Sequence, residues 1–304
     1  SKLLITKATN LRQQDTHNEL YTSQRIKVLF MNTFESLLLF LEGTMERPTA
    51  FGWFHLLFWG ITILCTVLLC VYAKNMSLSG ERSLLFCYAL LCLVMETYKQ
   101  LVFSFEYDGT AVAWHYQWYA FPFQFCSTPM YVALLAAFWR EGNLRNAFKT
   151  YLATFGAFAG ILVMFNPDSC FVEEIGINLQ TMIHHTGQII LGLYLLITHK
   201  TKGVYRSILG AMGVFLACVA IAEVMNVLFP LSGIDQTFNM FFISPYFQSP
   251  LPVYSSLYPG IPFALYLFLY ILPFCAAAWM LYVLRYPHLL SCKRTIIQKN
   301  NDIV

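Results

Sequence analysis

Charge is what this chain has least of. Only 12% of its 304 residues are Asp, Glu, Lys or Arg and 58% are hydrophobic, which excludes an ordinary soluble globular domain. The net charge of +3 comes from loops and termini, so it reads as topology and not as a nucleic-acid footprint, and no nucleic-acid partner is expected. The chain also lacks a CxxC pair or any Cys/His metal-ligand spacing, so neither a metal nor another cofactor is expected. Most of its cysteines (Cys65, Cys70, Cys87, Cys92, Cys218 and Cys275) lie inside apolar runs, as small buried side chains and not as a disulfide framework. Cys170 alone falls in a cation-free loop, with no partner to pair with. A secretory signal is absent too: the first apolar stretch, 28–42, follows too long a polar segment and no small-residue cleavage site comes after it.

The most informative absence is that of Lys and Arg from the segments 105–116, 166–175 and 230–261, which carry Glu106, Asp108, Asp168, Glu173, Glu174 and Asp235 instead. The alternate segments hold Lys74 and Arg82, then Arg140, Arg145 and Lys149, then Lys200, Lys202 and Arg206, then Arg285, Lys293, Arg294 and Lys299. Between them lie apolar runs at 53–73, 83–104, 117–139, 147–165, 176–198, 204–229 and 262–284. Each is long enough to cross a hydrocarbon core of ~30 Å at ~1.5 Å per residue. The charge alternation is the positive-inside pattern of a multi-pass protein of the cell membrane with a cytoplasmic C-terminus.

The expected fold is therefore all-α, a polytopic transmembrane bundle of seven spans. Residues 1–50 form a polar tail plus a short interfacial segment, 51–285 the membrane domain, and 286–304 a cytoplasmic tail. The tail holds Lys2, Lys7, Arg12, Arg25 and Lys27, which seven spans place outside, against their charge. The run 28–42 is short and carries Glu35, which favours a position in the interface; if it crossed, there would be eight segments. The outer segment 230–261 is proline-rich and aromatic, with Phe238, Phe241, Phe242, Tyr246, Phe247, Tyr254 and Tyr258, and is expected to fold over the outer mouth as a lid.

Ionisable and amide side chains inside spans are costly and so carry the functional signal. Span two holds Glu96 and Lys99, span three Gln124 and Cys126 between Pro122 and Pro129, span five His184, His185 and Gln188, and span six Glu223 and Asn226. The charge map places all of them in the outer half at similar depth, as a shared polar cavity opening outward would require. Each also has a purely structural reading. Glu96 and Lys99 make an i,i+3 ion pair, Glu223 with Asn226 an interhelical clasp, one of the histidines a bond to a neighbouring helix, and the prolines a kink that frees carbonyls. Cys126 by spacing alone is a packing residue, and Trp114, His115, Tyr116, Trp118 and Tyr119 form an interfacial aromatic belt.

Residues 121–131, 179–196 and 226–262 together resemble the YwaF-type integral membrane proteins and their animal relative, the transmembrane protein 164 acyltransferase. The resemblance runs from Phe51–Leu56, including His55, through most of the chain. It rests on Phe121-Pro122-Phe123-Gln124-Phe125-Cys126, on His185 followed by Gly192, Tyr194, Leu195 and Leu196, and on Asn239-Met240 with Ser244-Pro245. Gln124 stands where the family often has a histidine, and Leu251-Pro252-Val253-Tyr254 where it usually has a glycine-tryptophan pair. The resemblance implies transfer of a fatty acyl chain between phospholipids, with Cys126 as nucleophile and His185 as its base. Gln188, Asn226 or Asn239 could donate to the oxyanion. The partners implied are the bilayer and a phospholipid or other acyl lipid. The rival class is a transporter or solute-binding protein using the same polar cavity without covalent chemistry. A retinal protein is excluded by the absence of lysine from the last span.

Overall fold

The structure, a computed structural model, describes residues 33–107, 111–199, 201, 203–251 and 253–290. The basic tail 1–27, Asp108, Lys200, Lys202, Pro252, Lys293, Arg294 and Lys299 lie outside the described residues. The described chain is mostly helical: α1 (Thr33–Leu41), α2 (Trp53–Tyr72), α3 (Leu78–Val102), α4 (Thr128–Phe138), α5 (Asn143–Phe165), α6 (Ile175–Thr198), α7 (Val204–Leu231), the short α8 (Tyr254–Leu257) and α9 (Phe263–Arg285). A small hairpin, β1 (Phe105–Tyr107) with β2 (Val112–Trp114), pairs Phe105 with Trp114 in the loop after α3.

Among the described residues, six segments are long and apolar enough to cross a membrane: α2, α3, Trp118–Phe138 with α4 at its end, α5, α7 and α9. They fit an integral membrane protein. The expected count of seven is not reached on composition, because α6 is long enough at 24 residues but too polar. Its buried positions include Asn178, Gln180, Thr181, His184, His185, Thr186 and Gln188, which no lipid-facing helix could carry. Protein surrounds it instead: α6 packs between α2 and the second half of α5 and also meets α3. Its hydroxyls are bonded along the helix, Thr186 donating to the Met182 carbonyl and Thr198 to that of Tyr194, each at 2.7 Å. Small residues let α6 come close. A Cβ on Gly160 would lie 2.6 Å from the His185 carbonyl, and one on Gly192 2.8 Å from the Leu152 carbonyl, beside a single π-helical turn (Leu152–Gly156) within α5.

The third apolar run is not a continuous helix. Trp118–Ala120 and Phe125–Ser127 are single 3₁₀ turns, the chain between them is extended, and only Thr128–Phe138 is α-helical, with Pro129 in its first turn. The prolines thus break the span where a kink was expected. The N-terminus of α4 starts ~16 Å from its other end, roughly halfway through a ~30 Å core.

At the cation-poor end, the described part of α1 buries Leu38. It docks on the end of α3, where Tyr98 donates to the Leu41 carbonyl at 2.7 Å. The strand-like strap after it pairs Thr44 with Glu174 and caps the start of α6, Ile175 N–H donating to Gly43 at 2.8 Å. Asp168 anchors the rest of the strap: its carbonyl accepts from Arg47 at 2.7 Å and its carboxylate from the Ala50 amide at 3.0 Å. Residues 33–51 therefore sit with the loops 103–117 and 166–174.

The basic end differs from expectation. Arg145 and Lys149, counted from the sequence as loop cations, are 0% and 3% exposed on the first half of α5. Glu81 on α3 lies 2.9 Å from Arg145 and 3.0 Å from Lys149, and Arg145 also pairs with Glu141. Arg145 and Arg82 donate to the carbonyls of Ala136, Ala137 and Trp139, closing the C-terminal end of α4, where cations complement the helix dipole. Positions 141, 145 and 149 follow an i,i+4 spacing that runs from the turn before α5 onto its first half.

If α6 crosses the membrane, cysteines introduced at Glu173 and Thr201, in a background without other accessible thiols, will react with an impermeant maleimide from opposite faces of sealed vesicles. Labelling from the same face would make α6 a buried helix that does not cross.

Candidate functional site at the head of the broken span

Cys126 occupies the 3₁₀ turn that leads into α4, and two side chains of α6 hold it there. His184 Nε2 lies 2.8 Å from the Cys126 carbonyl oxygen, and the Gln188 amide donates to the same oxygen. They are one turn apart on α6, so a single helical face grips a single carbonyl. A carbonyl only accepts, so His184 carries its hydrogen on Nε2 and its lone pair on Nδ1. That Nδ1 is buried and has no hydrogen-bond partner, and neither has Gln188 Oε1.

His185, the residue that the resemblance put forward as base, is bonded within its own helix. Its Nδ1 donates to the Thr181 carbonyl on its own helix at 2.7 Å, leaving Nε2 buried and unpaired. The two imidazoles are neighbours, with ring centroids 5.3 Å apart. It is thus the ring of His184 that reaches the Cys126 segment. The sequence could not separate adjacent histidines, because which one faces span three depends on the rotation of α6.

Glu96 and Lys99 form the expected i,i+3 ion pair at 2.7 Å, with Glu96 also accepting from Gln100 at 2.8 Å. Gln100 in turn accepts from Tyr116 and donates to the Ala120 carbonyl, which ties the pair to the extended part of the broken span. Both charges lie within electrostatic reach of the Cys126 thiol and of His184. Around the Cys126 segment the structure brings together His184, Gln188, Glu96 and Lys99, with His185 beside His184.

The remaining polar residues do something else. Gln124 donates to the Asn239 carbonyl at 3.0 Å and accepts from the Phe241 amide at 2.8 Å. Asn226 accepts from the Met240 amide at 2.6 Å and donates to the Met240 carbonyl at 2.9 Å. Asn239 accepts from the Ser244 amide at 2.8 Å, and its own amide points at the carbonyls of Phe247 and Gln248. These three side chains act as strand edges for a segment that has no strand to pair with. They hold Phe241 and Phe242 in the left-handed region, at φ 57° and 58°, which costs a non-glycine residue about 1–2 kcal/mol. Phe238, Met240, Phe241 and Ile243 are fully buried, and Phe241 meets Phe123, Phe125 and Phe215. The expected lid is thus a plug, its middle inserted into the bundle core. Asn226 and Asn239 have their amide hydrogens committed to it. Glu223 stays beside Asn226, with one carboxylate oxygen unpaired.

Among the described residues, no three His, Cys, Asp or Glu side chains come together as a metal ion requires. Cys170 is a free thiol in the loop before α6, and its burial pushes its pKa up, which makes it less reactive.

A comparison with protein families decides the kinship. Residues 50–282 match the TMEM164 family. The chain belongs to the TMEM164 family. No curated protein and no solved structure gives a significant match. The matched stretch begins in the strap before α2 and ends within α9, so it takes in Cys126, α6 and the plug but leaves out α1.

The clasp makes a stability prediction. Asn226→Leu strands the amide and carbonyl of Met240 in the core, so it is expected to lower stability by roughly 2–4 kcal/mol. Glu223→Gln, which keeps the Asn226 pairing, should cost much less. Thermal unfolding in detergent compares them, and equal stability of the two variants would contradict the clasp.

Proposed function

We propose that this TMEM164-family protein is a membrane-embedded acyltransferase that moves a fatty acyl chain between phospholipids through a thioester on Cys126. The observation that carries the reading is Cys126 at the head of a half-helix deep in the bundle, its carbonyl gripped by His184 and Gln188 on α6. Two physical consequences support it. The first amides of a helix lack intrahelical partners and, with the dipole, favour negative charge at that end. The unpaired Nδ1 of His184 is a base that no protein group has claimed.

In the proposed reaction, the Cys126 thiol loses its proton to an imidazole, and the sulfur attacks the ester carbonyl of a phospholipid. The S–C bond forms, the C–O bond breaks, and the proton passes to the departing lysolipid alkoxide. A second lysolipid hydroxyl reverses the sequence, giving its proton to the imidazole as its oxygen displaces the thiolate. His184 is the histidine that the hydrogen bonding favours for this role, with His185 behind it. The basic end, with Arg285 at the close of α9, is then the cytoplasmic one, as the loop charges require. Placing the thiol near mid-depth, and not at headgroup level, means that the donor ester must enter the bundle.

Purified protein in mixed-lipid vesicles with a labelled phospholipid gives the test. Cys126→Ala is expected to abolish acyl exchange, His184→Ala to lower it by about 10²–10⁴-fold, and His185→Ala to lower it less. Exchange indifferent to Cys126 sinks the covalent mechanism. No exchange by the wild-type chain, together with saturable lipid or solute binding, favours the carrier reading.

A further inference from the structure

We infer that Tyr88 is a further catalytic side chain, whose phenol donates a hydrogen bond to the acyl carbonyl oxygen while the chain is transferred at Cys126. The inference rests on the acyltransferase reading and adds to it the donor that the chemistry needs.

Tyr88 lies on α3, on the same buried face as Cys92 and Glu96, one and two turns further on. Its ring is seated against α6 at Gly187, where an added Cβ would come within 3.2 Å of Tyr88 Cε2. Gly187 stands between His184 and Gln188, so the Tyr88 ring packs beside the two side chains that hold Cys126. The residue is only 8% exposed, and its buried hydroxyl has no oxygen or nitrogen partner; what it meets is the thiol of Cys92, one turn on along its own helix. A buried phenol whose hydrogen has only a thiol, a weak acceptor, to turn to is a standing cost that calls for an explanation.

The other unpaired atoms show what is missing. His184 Nδ1, His185 Nε2 and Gln188 Oε1 are all buried, and all are acceptors once the carbonyl bonds fix the tautomers. Acceptors can take a proton from a thiol or an alcohol, but they repel the carbonyl oxygen of an ester. Of the amides that the sequence offered for that oxygen, Asn226 and Asn239 are turned to the plug, and Gln188 gives one of its two hydrogens to the Cys126 carbonyl. Of the other enclosed phenols near the thiol, Tyr151 shares a hydrogen bond with Thr128 at 2.5 Å. Tyr270, from α9, packs against Tyr254 and Phe274. Tyr88 is the phenol seated on α6 beside His184, with only a thiol for its hydrogen. In the tetrahedral intermediate its O–H points to the oxyanion and keeps its proton, so the step needs no further reactant.

The test uses the full chain in vesicles with a labelled phosphatidylcholine donor and an acid quench that preserves thioesters. It compares the wild type with Tyr88→Phe, Tyr270→Phe and Cys126→Ala. Tyr88→Phe is expected to keep the wild-type melting temperature and apparent substrate KM while thioester formation slows by about 100-fold. Isosteric difluorotyrosine at position 88 restores the bond, and its rate should follow phenol acidity. Wild-type rates in Tyr88→Phe, a loss that appears only with a loss of melting temperature, or the kinetic defect appearing in Tyr270→Phe instead would each overturn the role of Tyr88. If the wild type forms no thioester, or Cys126→Ala transfers undiminished, the acyltransferase reading falls and the role of Tyr88 with it.

Discussion

The grip of α6 on the Cys126 carbonyl is the interaction around which the rest is arranged. A helix carrying two histidines, Gln180, Gln188 and Asn178 cannot face lipid, so it must be enclosed, and the close approaches at Gly160 and Gly192 enclose it. A broken span in turn exposes carbonyls that hydrocarbon cannot satisfy. One of them, that of Cys126, is satisfied by the polar face of α6. Each irregularity is tolerable only because the other is present. The Cys126 backbone is thereby fixed just before a helix N-terminus inside the bundle, with His184 and Gln188 on its carbonyl.

Two further devices hold this centre from either end. At the basic end, Arg82 and Arg145 close the carbonyl end of α4, with Glu81 and Glu141 balancing the buried guanidinium and Glu81 also pairing with Lys149. Removing one partner of such a network is far worse than never having had it, because a buried charge is left uncompensated. At the other end, Gln124 and Asn226 supply the backbone bonds of the plug, which pushes Phe241 against Phe125, the residue before Cys126. α4 is thus fixed at its C-terminus by charge and at its head by the plug and α6.

Much of this was legible in the sequence, and the gaps have physical causes. The loop-charge alternation gave the helical membrane architecture, and the i,i+3 spacing gave the Glu96–Lys99 pair. The intramembrane polar residues marked α6 as special. Three things stayed hidden. Helix rotation, which no single sequence states, decides that His184 and not its neighbour turns to Cys126. The length of the broken stretch 118–127 was hidden because its residues are apolar enough to pass for a helix. Arg145 and Lys149 looked like loop cations because the positive-inside rule and a buried ion network use the same residue types at a helix end. The amides of Gln124 and Asn226 stand out as costly in the sequence, but the partners of Gln124 lie 115 and 117 positions away and that of Asn226 in a loop, so their job as clasps needed the fold.

The central claim is that Cys126 carries the acyl chain covalently. Protein incubated with a phospholipid of one defined acyl chain, quenched in acid and digested, can be read by mass spectrometry at the peptide containing Cys126. The account predicts that acyl mass on that residue, lost on treatment with neutral hydroxylamine and displaced by added lysophospholipid. Acyl exchange proceeding while Cys126 stays unmodified at every time point would contradict it.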